Sequence, residues 1–519
     1  MNMQHTLRVW ALALAVVLAG CGGGGGGGGS GGPATTLSGN VSYDGVPNTN
    51  GALNYSATIS KPVRGAGVDV VNTANGAVLA STTTDDNGNY SVQAPGQTFV
   101  TVRVRAQLAR GGPGPNWDVT VRDNTQANAL YSMESPSFST GGGVTRDLHA
   151  PSGWGGSGYT GARVAGPFAI LDTVYTAMNK VLSVAPSAAF PSLRVFWSVN
   201  NVPADGSDAA GQIGTTSFRS SSAGASIYVL GAEGVDTDEY DESVVAHEWG
   251  HYYQNAFSRD DSPGGPHDID ELLDQRLAFS EGWGNAWSGI ALARRNYTDS
   301  VGPGQGRGVD MDLSAGAAAP QGWFREASVQ SILWNLNSRF GFAGIHAAMS
   351  GGLRTTPTVT TIHAFAAAYA GATPGAQADL GSLLVGQGIK GGVNDPWATQ
   401  ETNTQGVPGM PPIYLPVTAP GTVPGCVTVT SVNGQDNKLG SFAYLRVAVP
   451  TARVYRISVT GPGGSDPDIY VYAGGRLAAS IGLGITETTS VGLPAGDVVL
   501  ALNDANNTSP NTCLQVTIN

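Results

Sequence analysis

The ten residues Val244-Val245-Ala246-His247-Glu248-Trp249-Gly250-His251-Tyr252-Tyr253 constrain this chain more than any other stretch. Two histidines four residues apart can serve one target only if the segment is helical, because i and i+4 lie on the same face of a helix. In that setting both imidazoles reach one Zn²⁺, and the glutamate after the first of them lies over a water bound to the metal. With 7 His and 10 Glu in 519 residues, about 0.002 chance matches to this spacing are expected, so coincidence explains it poorly. The spacing points to hydrolytic chemistry; the alternative is a helix whose histidines are ordinary core or surface residues.

Length and charge narrow the class. A chain of 519 residues exceeds one ordinary core and suggests about three domains. With 75 Gly, 30 Pro and only 12% charged residues, it reads as loop-rich, β-rich and extracytoplasmic. A net charge of -12 argues against a nucleic-acid partner, whose phosphates need a basic face.

Residues 1–20 read as a signal peptide. His5 to Arg8 start it, Val9 to Ala19 are continuously apolar, and Leu18-Ala19-Gly20-Cys21 closes it. The run is too short to span a bilayer as a helix. Its end resembles the lipobox of bacterial lipoproteins, which implies cleavage before Cys21 and a palmitate-bearing lipid anchor there. Gly22 is similar to the pattern of outer-membrane lipoproteins of Gram-negative bacteria, so the resemblance implies a cell-envelope protein, periplasmic or surface-exposed. An ordinary secretory signal, giving a secreted protein, is the alternative. Residues 21–36, with eight consecutive glycines, form a flexible tether. With Cys21 taken by lipid, Cys426 and Cys513 remain as a disulfide pair.

Residues 37–150 are patterned as a β-sandwich. Val68-Asp69-Val70-Val71 and Phe99-Val100-Thr101-Val102-Arg103-Val104 are strand-like, and Asp85-Asp86-Asn87-Gly88-Asn89 is a turn. Gly65-Ala66-Gly67-Val68-Asp69-Val70 followed by that turn resembles the carboxypeptidase-regulatory-like, transthyretin-type sandwich, which implies a structural role. Residues 151–399 change character. Phe168 to Leu182 is helical in period, and Leu193 to Trp197 and Ser226 to Gly231 read as strands. Beyond the His247 helix, further helices are expected near Glu271 to Arg294, Glu326 to Asn337, Ile362 to Tyr369 and Gly375 to Gln387. Residues 400–425, rich in Pro, Gly, Thr and Gln, read as a linker. Residues 426–519 alternate as a second sandwich. There, Tyr455-Arg456-Ile457-Ser458-Val459-Thr460-Gly461 leading to Ser465-Asp466-Pro467-Asp468-Ile469-Tyr470-Val471 resembles the pre-peptidase C-terminal domain of secreted bacterial peptidases.

A zinc hydrolase keeps three protein ligands and one open position. A third histidine in the metzincin pattern would fall soon after His251, and Asn255 to Asp261 contain none. The other option is a glutamate on a following helix, and Glu281 in Ala278-Phe279-Ser280-Glu281-Gly282-Trp283-Gly284-Asn285-Ala286-Trp287 has that setting. Glu281, Asn285 and Ser288 share one helix face, while Trp283, Trp287 and Ile290 take another. Gly282 and Gly284 each cost about 1 kcal/mol of helix propensity, which suggests close approach to the His247 helix. From Ser226 to about Asn394 this pairing, with the run Arg325-Glu326-Ala327-Ser328-Val329-Gln330-Ser331-Ile332-Leu333-Trp334, resembles the gluzincins, the thermolysin-like and fungalysin-like metallopeptidases. The resemblance implies a multidomain protein with an α+β zincin-like metallopeptidase core flanked by two β-sandwich domains. It implies that His247, His251 and Glu281 bind one Zn²⁺, that Glu248 is the general base, and that the edge strand Ser226 to Gly231 binds a protein or peptide substrate. Thermolysin-like enzymes carry an aspartate where this chain has Asn285, so the expected hydrogen bond to His247 is neutral.

Candidates for stabilising the transition state are Tyr228, His267, Arg325, His346 and His363. In Asp236 to Glu242 the acids suit the N-terminal end of the metal helix, with Asp241 or Ser243 as cap; a Ca²⁺ site is the other reading. Arg259 to Asp268 reads as a loop at the cleft rim, with a second metal site as the alternative. The functional expectation is a zinc-dependent endopeptidase displayed as a lipoprotein. The alternatives are a non-catalytic surface-binding lipoprotein with a degenerate zincin core and a zinc-dependent cell-wall amidase.

Overall fold

The computed structural model describes residues 32–407, 410–428, 437–506 and 511–519; the signal segment and Cys21 lie outside them. The protein is multidomain, with extensive β-sandwich structure and several helices. No helix among the described residues is long and apolar enough to cross a membrane.

β-branched runs with period-two burial build the sheets. In Phe99–Arg110 every second residue from Val100 to Leu108 is buried, as a strand with one face on a core requires. This strand belongs to a ten-stranded sheet whose main order is Ser217–Ser221, Gly224–Val229, Leu193–Trp197, Trp117–Asp123, Phe99–Arg110, Ala66–Asn72, Val78–Thr83. The sheet runs across the expected boundary at residue 150: Trp117–Asp123 pairs in parallel with Leu193–Trp197, Val119 opposite Leu193. A separate 37–150 domain would leave the backbone groups on that edge of Trp117–Asp123 unpaired, and the later strand satisfies them. The facing five-stranded sheet is built on Gly32–Gly45. That strand begins inside the expected 21–36 tether, where the β-branched Thr35 and Thr36 pair with Ala94 and Gln93.

Gly224–Val229 is not the sheet edge expected from sequence. Ser217–Ser221 pairs antiparallel outside it, Phe218 opposite Ile227, and is itself the edge. Its polar composition, Ser-Phe-Arg-Ser-Ser, hides it from a search for apolar alternation.

Seven helices follow in the described chain: α1 (Ala165–Leu182), α2 (Glu242–Phe257), α3 (Gln275–Leu292), α4 (Glu326–Phe340), α5 (Phe342–Ala348), α6 (Ile362–Ala372) and α7 (Gln377–Gly386). α2 lies on the sheet, with Val245 and Trp249 in the same buried cluster as Val195, Ile227 and Val229. Neither Asp241 nor Ser243 caps α2 with its side chain. Asp241 accepts from Val244 and Val245 N–H through its carbonyl, and its carboxylate takes Asn48 Nδ2 (2.6 Å) and Ser300 Oγ (2.5 Å) instead. α3 starts later than expected because Asp274 caps it, accepting from Arg276 N–H at 3.0 Å.

The C-terminal sandwich contains a five-stranded and a four-stranded sheet. The expected linker 400–425 contributes to both. Tyr414–Thr418 pairs in parallel with Ala443–Val449, and Gly421–Val427 pairs with Thr512–Ile518. Pro416 and Pro424 made this stretch look unstructured, but both strands are sheet edges, where a missing N–H is tolerated. Cys426 and Cys513 stand opposite each other in the second pair and are joined by a disulfide.

Candidate metal centre

Glycines let α2 and α3 touch. A Cβ on Gly250 would come within 3.2 Å of Gly284 Cα, and one on Gly284 would lie 2.7 Å from the His247 ring. Gly284 is therefore the floor under His247. Gly282, expected to serve the same contact, faces α4 instead, where a Cβ would lie 2.5 Å from Val329 Cβ. Gly284→Ala is expected to displace the His247 ring, to cost about 1–3 kcal/mol by overpacking, and to lower metal affinity. Thermal melts and a metal titration of the variant check this.

The side chains above that floor converge. His247 Nε2 lies 3.1 Å from Glu281 Oε2 and 3.1 Å from His251 Nε2, and His251 Nε2 lies 3.4 Å from Glu281 Oε2. Tetrahedral ligands bound at zinc distances are about 3.3 Å from one another, so the three atoms are spaced as ligands of one ion. Their partners agree with that. His247 Nδ1 faces Asn285 Oδ1 at 2.9 Å, and His251 Nδ1 faces Gln254 Oε1 at 3.3 Å. Each ring thus keeps an N–H on Nδ1, and its Nε2 carries either a lone pair for an ion or, without one, a proton shared with Glu281. Two lone pairs and a carboxylate facing one another repel unless a proton or a cation lies among them. Burial alone would raise the Glu281 pKa, but the His251 charge and hydrogen bonds from His247, His251 and His267 hold it well below the usual range.

Glu248 follows His247 on α2, and its Oε2 accepts the Phe218 N–H at 2.6 Å. Burial pushes its pKa up, against the lowering effect of His247 and His251. Of the five expected helper residues, one stands at the cluster: His267 Nε2 is 3.4 Å from Glu281 Oε2. Tyr228 lies on the sheet face away from α2, against Phe196 and under the Arg219 guanidinium at 4.1 Å. Arg325 pairs with Asp270 at 3.2 Å. His346 takes the Tyr253 hydroxyl at 2.7 Å, and His363 pairs with Glu401 at 3.3 Å. The His363 pair is buried and the His346 pair half-buried, and neither is at the cluster.

Three groups at the site were not singled out from sequence. Glu326, in the first turn of α4, reads as an ordinary partner of the helix dipole, yet its Oε2 is 3.5 Å from His267 Nε2. The Tyr297 ring stands edge-on to His247 at 6.2 Å, delivered by a strand with no spacing relation to α2. Asp260 Oδ2 accepts from Ser280 Oγ at 2.9 Å, beside His251.

The loop between α2 and α3 is clamped by the C-terminal sandwich. Asn437 Nδ2 donates to the carbonyls of Gly264 (2.9 Å) and Pro266 (3.0 Å), and Lys438 Nζ donates to Pro266 O (3.0 Å) and Glu271 (2.5 Å). Tyr444 OH donates to the capping Asp274 at 2.5 Å, and the buried Arg276 guanidinium lies 4.2 Å above the Phe442 ring.

Ahead of α2, Asp236, Asp238 and Asp299 bring their carboxylates within 4.8 Å of one another. Burial pushes all three pKa values up; Asp238 also feels the charges of Asp236 and Asp299, and Asp299 that of Asp236. The native state therefore holds more protons than the unfolded chain between the usual carboxylate range and neutrality, so stability falls as pH rises through that window. Asp299→Asn is expected to flatten this slope, raising the melting temperature of chelated protein more at pH 7.5 than at pH 5. Melting curves at the two pH values check it.

No protein-family model matches the chain, and no curated protein matches it. Among solved structures, the pre-peptidase C-terminal domain of a collagenase from Bacillus anthracis aligns at 12% identity and TM-score 0.18, covering 21% of this chain and 99% of that one. A family 35 carbohydrate-binding module from Clostridium thermocellum aligns at 15% identity and TM-score 0.13, covering 18% of this chain and 90% of that one. PliG of Aeromonas hydrophila, a periplasmic inhibitor of g-type lysozyme, aligns at 14% identity and TM-score 0.14, over 20% and 97%.

Proposed function

We propose that the protein is a zinc-dependent endopeptidase with a zincin-like core of gluzincin type, held at the cell envelope by a lipid on Cys21. The observation that carries this reading is the convergence of His247 Nε2, His251 Nε2 and Glu281 Oε2 at 3.1–3.4 Å, with each histidine's other nitrogen facing an acceptor. A bound zinc ion would supply Lewis acidity and lower the pKa of its water toward about 7.

The chain's own residues do the rest. Glu248, raised in pKa by burial, accepts a proton from the attacking water and returns it to the leaving amine. The Phe218 N–H fixes one of its oxygens and leaves the other for the proton. That N–H points outward from the edge strand Ser217–Ser221, so a substrate strand added there runs beside the general base. Asn285 holds the His247 ring in the tautomer that offers Nε2.

The test is incubation of the purified protein with casein or a peptide library. Cleavage that 1,10-phenanthroline stops and added Zn²⁺ restores supports the reading; cleavage indifferent to the chelator, or none in the zinc-loaded protein, contradicts it.

A further inference from the structure

We propose that His267, Glu281 and Glu326 form a second cation site that shares the Glu281 carboxylate with the His247–His251 site and takes a divalent transition metal such as Zn²⁺ or Mn²⁺. The proposal deepens the zinc reading and rests on it for the shared ligand.

His267 is aimed for this purpose. Its Nδ1 lies 3.2 Å from the Gly265 carbonyl, so Nδ1 carries an N–H and Nε2 is the nitrogen turned to the carboxylates. That arrangement, an N–H on a backbone carbonyl and the second nitrogen free, is the usual support of a metal-ligating histidine. The free Nε2 faces two carboxylates, Glu281 Oε2 at 3.4 Å and Glu326 Oε2 at 3.5 Å. The three ligand atoms lie within 4.8 Å of one another.

Glu326 supplies the independent observation. It is 4% exposed, and its Oε2 is buried without a hydrogen-bond partner. A carboxylate oxygen with no hydrogen-bond donor in the interior is costly, and this one is directed at His267 Nε2, where a cation between them would satisfy it. An imidazole with two carboxylates suits Zn²⁺ or Mn²⁺. A carboxylate shared between two sites is the arrangement that holds metal ions about 3.5–4 Å apart. His267 is partly solvent-exposed, so water can complete the coordination. The loop that carries it is anchored by Asn437 and Lys438 at the Gly264 and Pro266 carbonyls, which holds the ligand on a fixed backbone. The competing arrangement is a proton on Nε2, making an imidazolium between two carboxylates with no ion bound.

The experiment is a count of bound metal. The full chain is stripped with chelator, dialysed to equilibrium against Zn²⁺ alone and then against Mn²⁺ alone, and bound ions per chain are measured by elemental analysis. The wild type is expected to bind two, and Glu326→Gln and His267→Asn one each; the second variant, on an exposed loop, guards against a folding defect in the first. One ion in the wild type and one in both variants overturns the second site and leaves the zinc reading standing. A single ion that His251→Ala keeps and Glu326→Gln loses upholds this cluster and overturns the zinc reading instead. No bound ion overturns both.

Discussion

Glu248→Gln is expected to lower the turnover of a peptide substrate by about 10²–10⁴-fold, the usual worth of a positioned general base, while metal content stays at the wild-type level. The two effects separate because Glu248 is not among the three converging ligand atoms. The amide preserves size and can still accept the Phe218 N–H that the carboxylate takes at 2.6 Å, so the local fold should persist. What it loses is the capacity to hold a proton. Full turnover in this variant would remove Glu248 from the mechanism; loss of metal along with turnover would make its role structural.

Removing residues 412–519 is expected to destroy the proposed metal centre, although none of its proposed ligands lies there. The cut strips Asn437 and Lys438 from the loop that carries His267, and takes Tyr444 from Asp274, the cap of the helix that carries Glu281. It also uncovers Arg276, now 2% exposed with Asp274 as its ion partner. The hydrogen bonds lost to charged groups, from Tyr444 to Asp274 and from Lys438 to Glu271, are worth about 1.5–3 kcal/mol each, a large part of the net stability of a domain. The expected product is an insoluble or metal-free fragment, assayed by solubility, melting temperature and bound zinc. A soluble fragment with wild-type zinc content would show that the C-terminal sandwich is a detachable module.

The parts of the site that could be read from sequence are those governed by helical spacing. His247, Glu248 and His251 are related by i+1 and i+4, and Glu281 and Asn285 by i+4, so each pair has a defined geometry before any tertiary structure is known. Which helix Gly282 and Gly284 touch depends on how three helices pack, and only one of the two glycines faces α2. Glu326, Tyr297 and His267 reach the cluster through tertiary placement alone, from a helix start, a strand and a loop. Fold boundaries failed where composition stood in for pairing. The Pro-rich 400–425 stretch hides two edge strands, and the serine-rich Ser217–Ser221 hides the edge that a substrate would join. The continuity of one sheet from Ala66 to Val229 leaves no mark in sequence, because each strand reads the same whether its neighbour comes from its own domain or the next.

Anomalous diffraction from crystals grown with zinc tests most directly whether a metal ion binds among His247, His251 and Glu281. Data collected on either side of the zinc edge should show a peak about 2.0–2.1 Å from each of His247 Nε2, His251 Nε2 and Glu281 Oε2. Zinc-soaked crystals with no anomalous density among those three atoms would contradict zinc binding there.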